Sequence, residues 1–238
     1  MKSEGRSPTR CDGATARQES EGSPKGEDRK VLVCFAVKEE AGAFQRLVAE
    51  RGDIQVTLVG MGKRNAERGI RVALSEERPG LVLTCGFAGG LRPDLAMGVL
   101  VFDADPETGL EPALLAAGAK SARFHCADRV AATAAEKRAL RQSTEADAVE
   151  MESGVIRAVC REQKIPSATV RVILDTAEED LPLDFNQLMT PDQKMEFGKL
   201  ALTLARSPGK VGALLRLRRQ SQAAAERLAQ VLVRIAAA

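Results

Sequence analysis

The feature that most constrains the fold is a succession of continuous apolar runs, each separated from the next by a stretch with helical spacing. The first run, "KVLVCFAV", begins at Lys30; "IQVTLVG", "LVLTCG", "GVLVF" and "SATVRVIL" follow, with "ARFHCA" as a weaker strand signal. A strand with one face in water alternates apolar and polar residues. A run without alternation belongs to a strand covered on both faces. Between the runs lie "EEAGAFQRLVAE", "NAERGIRVALSEE", which stops at Pro79-Gly80, "TAAEKRALRQ" and "SGVIRAVCREQ". The third of these opens on a capping box, Thr133 with Glu136. This β-α alternation predicts an α/β fold, a three-layer α/β/α arrangement around a mostly parallel central mixed sheet. Farther on, "TPDQKMEFGKLALTLA" predicts a helix with Thr190 as N-cap, Pro191 at its first position and Gln193 closing the box. From Lys210 to the end the chain reads as helical and rich in arginine.

Composition sets the domain limits and excludes several function classes. Residues 1–28 are rich in Ser, Gly, Glu, Arg, Lys and Pro and nearly free of large apolar side chains. Such a segment buries too little to offset its ordering entropy and is expected to be a disordered tail. Residues 29–238 are expected to form one domain with C-terminal helices. The net charge of +2 gives no broad attraction to nucleic acid, and a chain without Trp or Tyr lacks platforms for stacked bases. The five cysteines are scattered without a Cys-x-x-Cys pair, and His125 is the only histidine. Neither a metal site nor a Ser-His-Asp or Cys-His machine is expected, and the thiols read as buried cytosolic cysteines. No apolar run reaches the length of a membrane span, and the N-terminus has no signal-peptide hydrophobic core, so a cytoplasmic protein is expected.

In open α/β sheets ligands gather beyond the carboxyl ends of the strands, so the residues just after each strand carry the most information. Here they are Lys38-Glu39-Glu40, Gly60-Met61-Gly62-Lys63, Gly86-Phe87-Ala88-Gly89-Gly90, Glu150-Met151-Glu152 and Asp175. Carboxylates and glycine turns converge on one edge. Bland readings stand beside this one. Glu39 and Glu40 can favour a helix dipole, Asp175 can cap a helix or turn, and "GFAGG" can be a tight turn. For Glu150 and Glu152 the bland reading is weakest, because burying two acids without purpose is costly. "GMGKRN" lacks the third glycine of a dinucleotide fingerprint, and no Walker lysine motif is present. No cofactor is expected.

Four segments, in order, resemble the nucleoside phosphorylase superfamily and its nucleosidase branch: "AVKEEAGAF", "GMGKRNA", "TCGFAGGLRPDLAMGVLVF" and "AVEMESGVIRAVCREQKIPSATVRVILDTAEED". The branch includes methylthioadenosine/S-adenosylhomocysteine nucleosidases. "CADRVAATAAEKRAL" is also similar to hopanoid-associated phosphorylase-like proteins, whose proposed role is to remove adenine from adenosylhopane. The resemblance implies a phosphorylase-like fold and cleavage of an N-glycosidic bond through an oxocarbenium-like state. It implies that Glu152 holds the ribose hydroxyls, that Met151 packs beneath the sugar, and that Glu150, Phe87, Ala88, Gly89 and Val130 also line the substrate site. It implies that Asp175 protonates or hydrogen-bonds the leaving purine and that Glu40 polarises the attacking water.

The departures from the family pattern bear on the nucleophile and the base. Phe87 stands where phosphorylases use a serine on phosphate, and Thr84 and Cys85 stand where they need an arginine. The Arg-bearing glycine loop after the first strand is missing. These losses favour water over phosphate as the nucleophile. Val130 replaces the aromatic that stacks on the purine, and Leu174 replaces the serine before the final aspartate. The short span from Asp103 to Arg123 trims the usual lid and predicts a more open pocket. A purine nucleoside or 5′-modified adenosine is therefore the expected substrate, cleaved by hydrolysis. A phosphate-dependent phosphorylase and a catalytically degenerate nucleoside-binding protein remain as alternatives. The expected assembly is a homodimer or higher homo-oligomer. The basic C-terminal helix, or pair of helices, is expected to pack on the domain or on a partner subunit, with membrane-surface association as the alternative.

Overall fold

The computed structural model describes residues 30–190, 192–193, 196–207 and 209–236. The expected tail over residues 1–28 lies outside them. The apolar runs form the strands β1 (Val31–Phe35), β2 (Ile54–Leu58), β3 (Leu81–Gly90), β4 (Leu100–Ala104) and β8 (Ser167–Asp175). Short strands β5 (Lys120–Ser121), β6 (Phe124–Cys126) and β7 (Ala148–Glu150) complete a mixed sheet of order β2-β1-β3-β8-β4-β5, with β7 beside β3 and β6 beside β7. The pairs β1–β2, β1–β3 and β3–β8 are parallel; β4 runs antiparallel to β8, and β7 antiparallel to β3.

The lack of alternation in the strands has a direct structural cause. Val31, Val33 and Phe35 of β1 face a core shared with α1 (Lys38–Leu47) and with Leu228 and Leu232 of α8 (Lys210–Ile235). Leu32 and Cys34, one residue out of phase, face α2 (Lys63–Glu76) and α5 (Ser153–Glu162) through Ile70, Ile156 and Cys160. Both faces of the sheet are therefore covered. The smaller helices are α3 (Glu111–Ala116), α4 (Ala134–Thr144), α6 (Phe185–Leu188) and α7 (Phe197–Arg206). α4 carries the expected capping box: the Thr133 side chain accepts from the Glu136 N–H, and the Glu136 carboxylate accepts from the Thr133 N–H. Cys34, Cys85 and Cys160 are buried and Cys126 is half-buried, all as free thiols; Cys11 lies outside the described residues.

Two local expectations are corrected. "GFAGG" is not a turn after β3 but its second half. β3 pairs with β8 as far as Gly89, and Gly89 and Gly90 pair with Val149 and Ala148 of β7. The extra partner on the antiparallel side keeps the glycines in the sheet. The helix expected from Pro191 starts at Phe197 instead. Gln193 sits at φ +56°, and its N–H closes a turn on the Thr190 carbonyl at 2.8 Å, which breaks the helical path. Of the two forms expected for the C-terminal segment, the single helix is the one that forms, with 26 residues. Its second half packs on the domain through Ala224, Ala225, Leu228, Ala229 and Leu232, while Val211 and Leu215 of its first half are exposed. No helix among the described residues is long and apolar enough to cross a membrane.

Candidate active site

One cavity of about 340 Å³ opens at the carboxyl edge of β1, β3 and β8. Glu40, Phe87, Ala88, Gly89, Val130, Glu150, Met151, Glu152 and Asp175 all line it, so every site residue expected from the sequence meets there. They arrive by different routes. Glu39 and Glu40 share the first turn of α1, but Glu39 is exposed whereas Glu40 is buried and points inward. Of the three carboxylates in "DAVEMESGV", Asp147 faces away from the cavity. It accepts from the Arg123 N–H at 2.9 Å and pairs with Arg141 at 2.9 Å, a tie between loop and helix. Glu150 and Glu152, across the strand–helix junction β7–α5, face the cavity.

Asp175 reaches the cavity through an irregularity in β8. Ala88 pairs with Ile173, but Gly89 pairs with Asp175, so Leu174 is the extra residue. In a regular strand, neighbours point to opposite faces; the bulge lets both Leu174 and Asp175 line the cavity. Gly89 leaves the space for it: a Cβ there would lie 3.2 Å from the Asp175 Oδ2.

The residue that organises the acids is Arg171, a charge set within the apolar run "VRVIL" of β8 and not among the residues expected at the site. Its side chain is 1% exposed. Nη2 donates to the Glu150 Oε2 at 2.7 Å and to the Thr84 Oγ1 at 3.2 Å, and lies 3.7 Å from the Glu152 Oε2. Both oxygens of Glu150 are engaged. Oε2 also accepts from the N–H groups of Glu152 and Ser153 at 3.0 and 2.7 Å, and Oε1 from the Ser153 hydroxyl at 2.8 Å. Burial opposes the charge of Glu150, but Arg171 and these donors outweigh it and hold the carboxyl below the usual range.

The other acids are pushed the opposite way. Burial raises Glu152 to about 7, against the pull of Arg171 and with Glu150 adding to the rise; its Oε1 accepts from the Gly62 N–H at 2.8 Å. Burial also raises Glu40, opposed by Arg171 and by the N–H groups of Phe87 and Ala36, at 2.9 and 3.2 Å. Gly86, at φ +146°, makes the close approach feasible: a Cβ there would stand 2.5 Å from the Arg171 Nη1 and 2.6 Å from the Glu40 Oε1. Asp175 is likewise raised by burial and held back by Lys137 of α4, with which it is ion-paired.

Among the described residues the rest of the wall is mostly apolar, with Arg129 as its one charged residue. Val37, Met61, Leu174, Leu181, Phe185 and Met189 line it, with Leu217 and Ser221 of α8. None of residues 103–123 contributes to the lining. The cavity's cover comes instead from residues 181–189, held by Asn186. The Val130 N–H donates to the Asn186 side-chain oxygen, and the Asn186 amide donates to the Val130 carbonyl, each at 2.9 Å. Among the described residues no cluster of histidine, cysteine and carboxylates is arranged to hold a metal ion.

Residues 109–206 match the model of the phosphorylase superfamily. Solved structures share the fold along most of the chain. A Helicobacter pylori 5′-methylthioadenosine/S-adenosylhomocysteine nucleosidase matches with a TM-score of 0.64 at 18% identity, over 88% of this chain and 98% of that one. The S-adenosylhomocysteine nucleosidase of Streptococcus pyogenes matches with a TM-score of 0.65 at 16% identity, over 90% and 98%. The futalosine hydrolase of Helicobacter pylori matches with a TM-score of 0.63 at 17% identity, over 87% and 97%. Residues 109–206 are thus similar in sequence to the phosphorylase superfamily, and the chain shares along most of its length the fold of these nucleosidases.

Proposed function

We propose that this protein is an N-ribosyl hydrolase that cleaves the N-glycosidic bond of a purine nucleoside or 5′-modified adenosine. The observation that carries this reading is the buried cluster of Glu40, Glu150, Glu152 and Asp175 around one cavity, with Arg171 committed to the carboxylates. As the glycosidic bond breaks, positive charge grows on the sugar, and fixed anions in a water-poor site stabilise it. Glu152 accepts the ribose hydroxyls, with Met151 beneath the ring. Glu150, both of whose oxygens are engaged, acts by fixing Arg171 and the start of α5. Glu40, made more basic by burial, takes a proton from the attacking water. Asp175, raised for the same reason, gives a proton to the departing base.

The same charges disfavour phosphate. Arg171, behind the wall, already faces Glu150 and Glu152, and Arg129, the arginine on the wall, is paired with Glu136 at 2.5 Å. A phosphate dianion entering here would meet several buried carboxylates and no uncommitted cation among the described wall residues. The apolar wall from Leu181 to Met189 and Leu217 suits a nucleoside whose 5′ substituent is uncharged. The resemblance of the fold to a 5′-methylthioadenosine/S-adenosylhomocysteine nucleosidase and a futalosine hydrolase supports the class of reaction.

A second reading, a nucleoside-binding protein without turnover, is favoured by Val130 and Leu174, which offer the base neither an aromatic face nor a hydroxyl. One assay separates these readings: a panel of purine nucleosides and 5′-substituted adenosines, with released base and sugar followed chromatographically with and without phosphate. Free ribose and a phosphate-independent rate are expected. Ribose 1-phosphate at a rate proportional to phosphate would establish the phosphorylase alternative, and binding without release would establish the second reading.

A further inference from the structure

Lys137 is a buried cation that the mechanism above does not use. It lies in the first turns of α4 with 0% of its side chain exposed. A buried ammonium must find acceptors for its three N–H groups. Nζ donates to the carbonyls of Thr176 and Glu179, each at 2.7 Å, and its third partner is the Asp175 Oδ2. Two of these acceptors belong to the turn after β8, and the third is the acid at the cavity. No hydrogen bond to the Asp175 Oδ1 occurs among the described residues.

We infer that Lys137 is the positioning residue for the acid: it holds Asp175 by Oδ2, presents Oδ1 to the leaving base, and neutralises the carboxylate left once the proton has gone. The inference rests on the hydrolase reading for the identity of the proton acceptor. The C1′–N bond breaks with its electron pair going to the base, and the proton passes from the Asp175 Oδ1 to a base nitrogen. Water adds its oxygen to C1′ and gives its proton to Glu40. Glu40 then releases that proton to solvent, and solvent returns one to Asp175. In the protonated state the acid lies beside a cation it does not need; after transfer the new anion has a partner in place. Lys137 therefore makes Asp175 a stronger acid than burial alone would allow, and gives it a fixed direction.

The other charges near Asp175 leave this role to Lys137. Glu179, on the same turn, spends its carboxylate on the N–H and hydroxyl of Thr176, both at 2.9 Å. Asp180 accepts from the Ala134 N–H at 2.7 Å. Across the cavity Glu150 and Glu152 are tied to Arg171, and Arg129 to Glu136. β3 presents only Gly89 at this point. Burial raises Asp175 and Lys137 is the foremost influence opposing that rise.

The test reads protonation directly and does not depend on knowing the substrate. The protein is labelled with 13C at aspartate carboxyls and 15N at lysine Nζ, and the Asp175 signal is identified by its loss in Asp175→Asn. In the unaltered protein, the Lys137 Nζ resonance should move with the same midpoint as the Asp175 carboxyl; a Nζ signal indifferent to that titration overturns the inference, whatever the variants do. Lys137→Met keeps the volume without the charge, and Lys137→Gln also keeps a donor for the turn carbonyls. In both, the Asp175 midpoint should rise by about one to three pH units, the range an adjacent opposite charge commands. The alkaline limb of kcat/KM, where the acid loses its proton, should move up with it, while kcat falls by about tenfold or more as the acid weakens. A lysine that only pins the turn would lower thermal stability in Lys137→Met and leave both midpoints unmoved. A shifted Asp175 midpoint in a protein inert towards every nucleoside supports the pairing and refutes the hydrolase reading instead.

Discussion

Replacing Arg171 with methionine isolates the electrostatic problem at the centre of this protein. The substitution roughly keeps side-chain volume and fills the same space beside Thr84 and Gly86 of β3, so cavity formation contributes little. What is lost is the cation that faces Glu150 at 2.7 Å and Glu152 at 3.7 Å, with Glu40 close by. Removing one partner of a buried ion pair leaves an uncompensated charge and costs about 3–5 kcal/mol. The pH dependence gives the sign. In the unaltered protein Glu150 is held below its ordinary range, so it contributes stability above the unfolded carboxyl range that is lost as pH falls through the folded value. Without Arg171, burial dominates and the folded carboxyl rises above its unfolded counterpart. The same residue then opposes folding at neutral and alkaline pH, and this penalty fades as acid protonates it. The destabilisation of Arg171→Met should therefore be several kcal/mol at pH 8 and shrink markedly by pH 5. Urea unfolding at both values, with the slope m compared to confirm that the same surface is exposed, measures the difference. A loss of stability equal at both pH values would show that Arg171 stabilises by packing, and the electrostatic account would fall.

Three further outcomes are expected. Asp175→Asn keeps shape but cannot transfer a proton, so kcat for base release should fall by at least about a hundredfold while nucleoside binding persists; undiminished single-turnover release would remove Asp175 from the chemistry. Glu152→Gln should weaken nucleoside binding by about 1.5–3 kcal/mol, read calorimetrically, because a charged acceptor for two hydroxyls is lost; unchanged affinity would remove it from the ribose site. Gly86→Ala forces a Cβ to within 2.6 Å of both Glu40 and Arg171 at a φ of +146°, and should cost about 2–5 kcal/mol in urea unfolding; a stable variant would mean the two side chains can withdraw freely.

Much of this organisation is written in the sequence because its causes are local. Apolar runs without alternation mark strands covered on both sides, and Thr133 with Glu136 starts a helix wherever it stands. The strand-end acids are legible because parallel sheets bring their carboxyl ends together. What could not be read depends on partners distant in the chain. "GFAGG" stays extended because β7, nearly sixty residues later, pairs with it. The bulge at Leu174 depends on the register between β3 and β8. Arg171 was hidden by its setting. A charged residue inside "VRVIL" signals a buried partner, and that interruption of an apolar run was the available clue. Lys137 was hidden differently: on an amphipathic helix rich in charge, one lysine gives no sign of facing inward.

The cavity wall runs from Ala36 to Ser221, so its parts span nearly the whole described chain. β1 and β8 are separated by more than a hundred residues, and α8, which completes the wall, follows both in the chain. Topology of this kind ties recognition to the last stages of folding: contacts of long sequence separation form late and slowly. A partly folded chain that has built the first βα units has Glu40 but no pocket. A nucleoside should therefore bind the native state alone and act as a thermodynamic brake on unfolding, adding about 2.7 kcal/mol at a hundredfold excess over Kd. Ligand occupancy and the docking of the C-terminal helix are therefore expected to behave as one equilibrium.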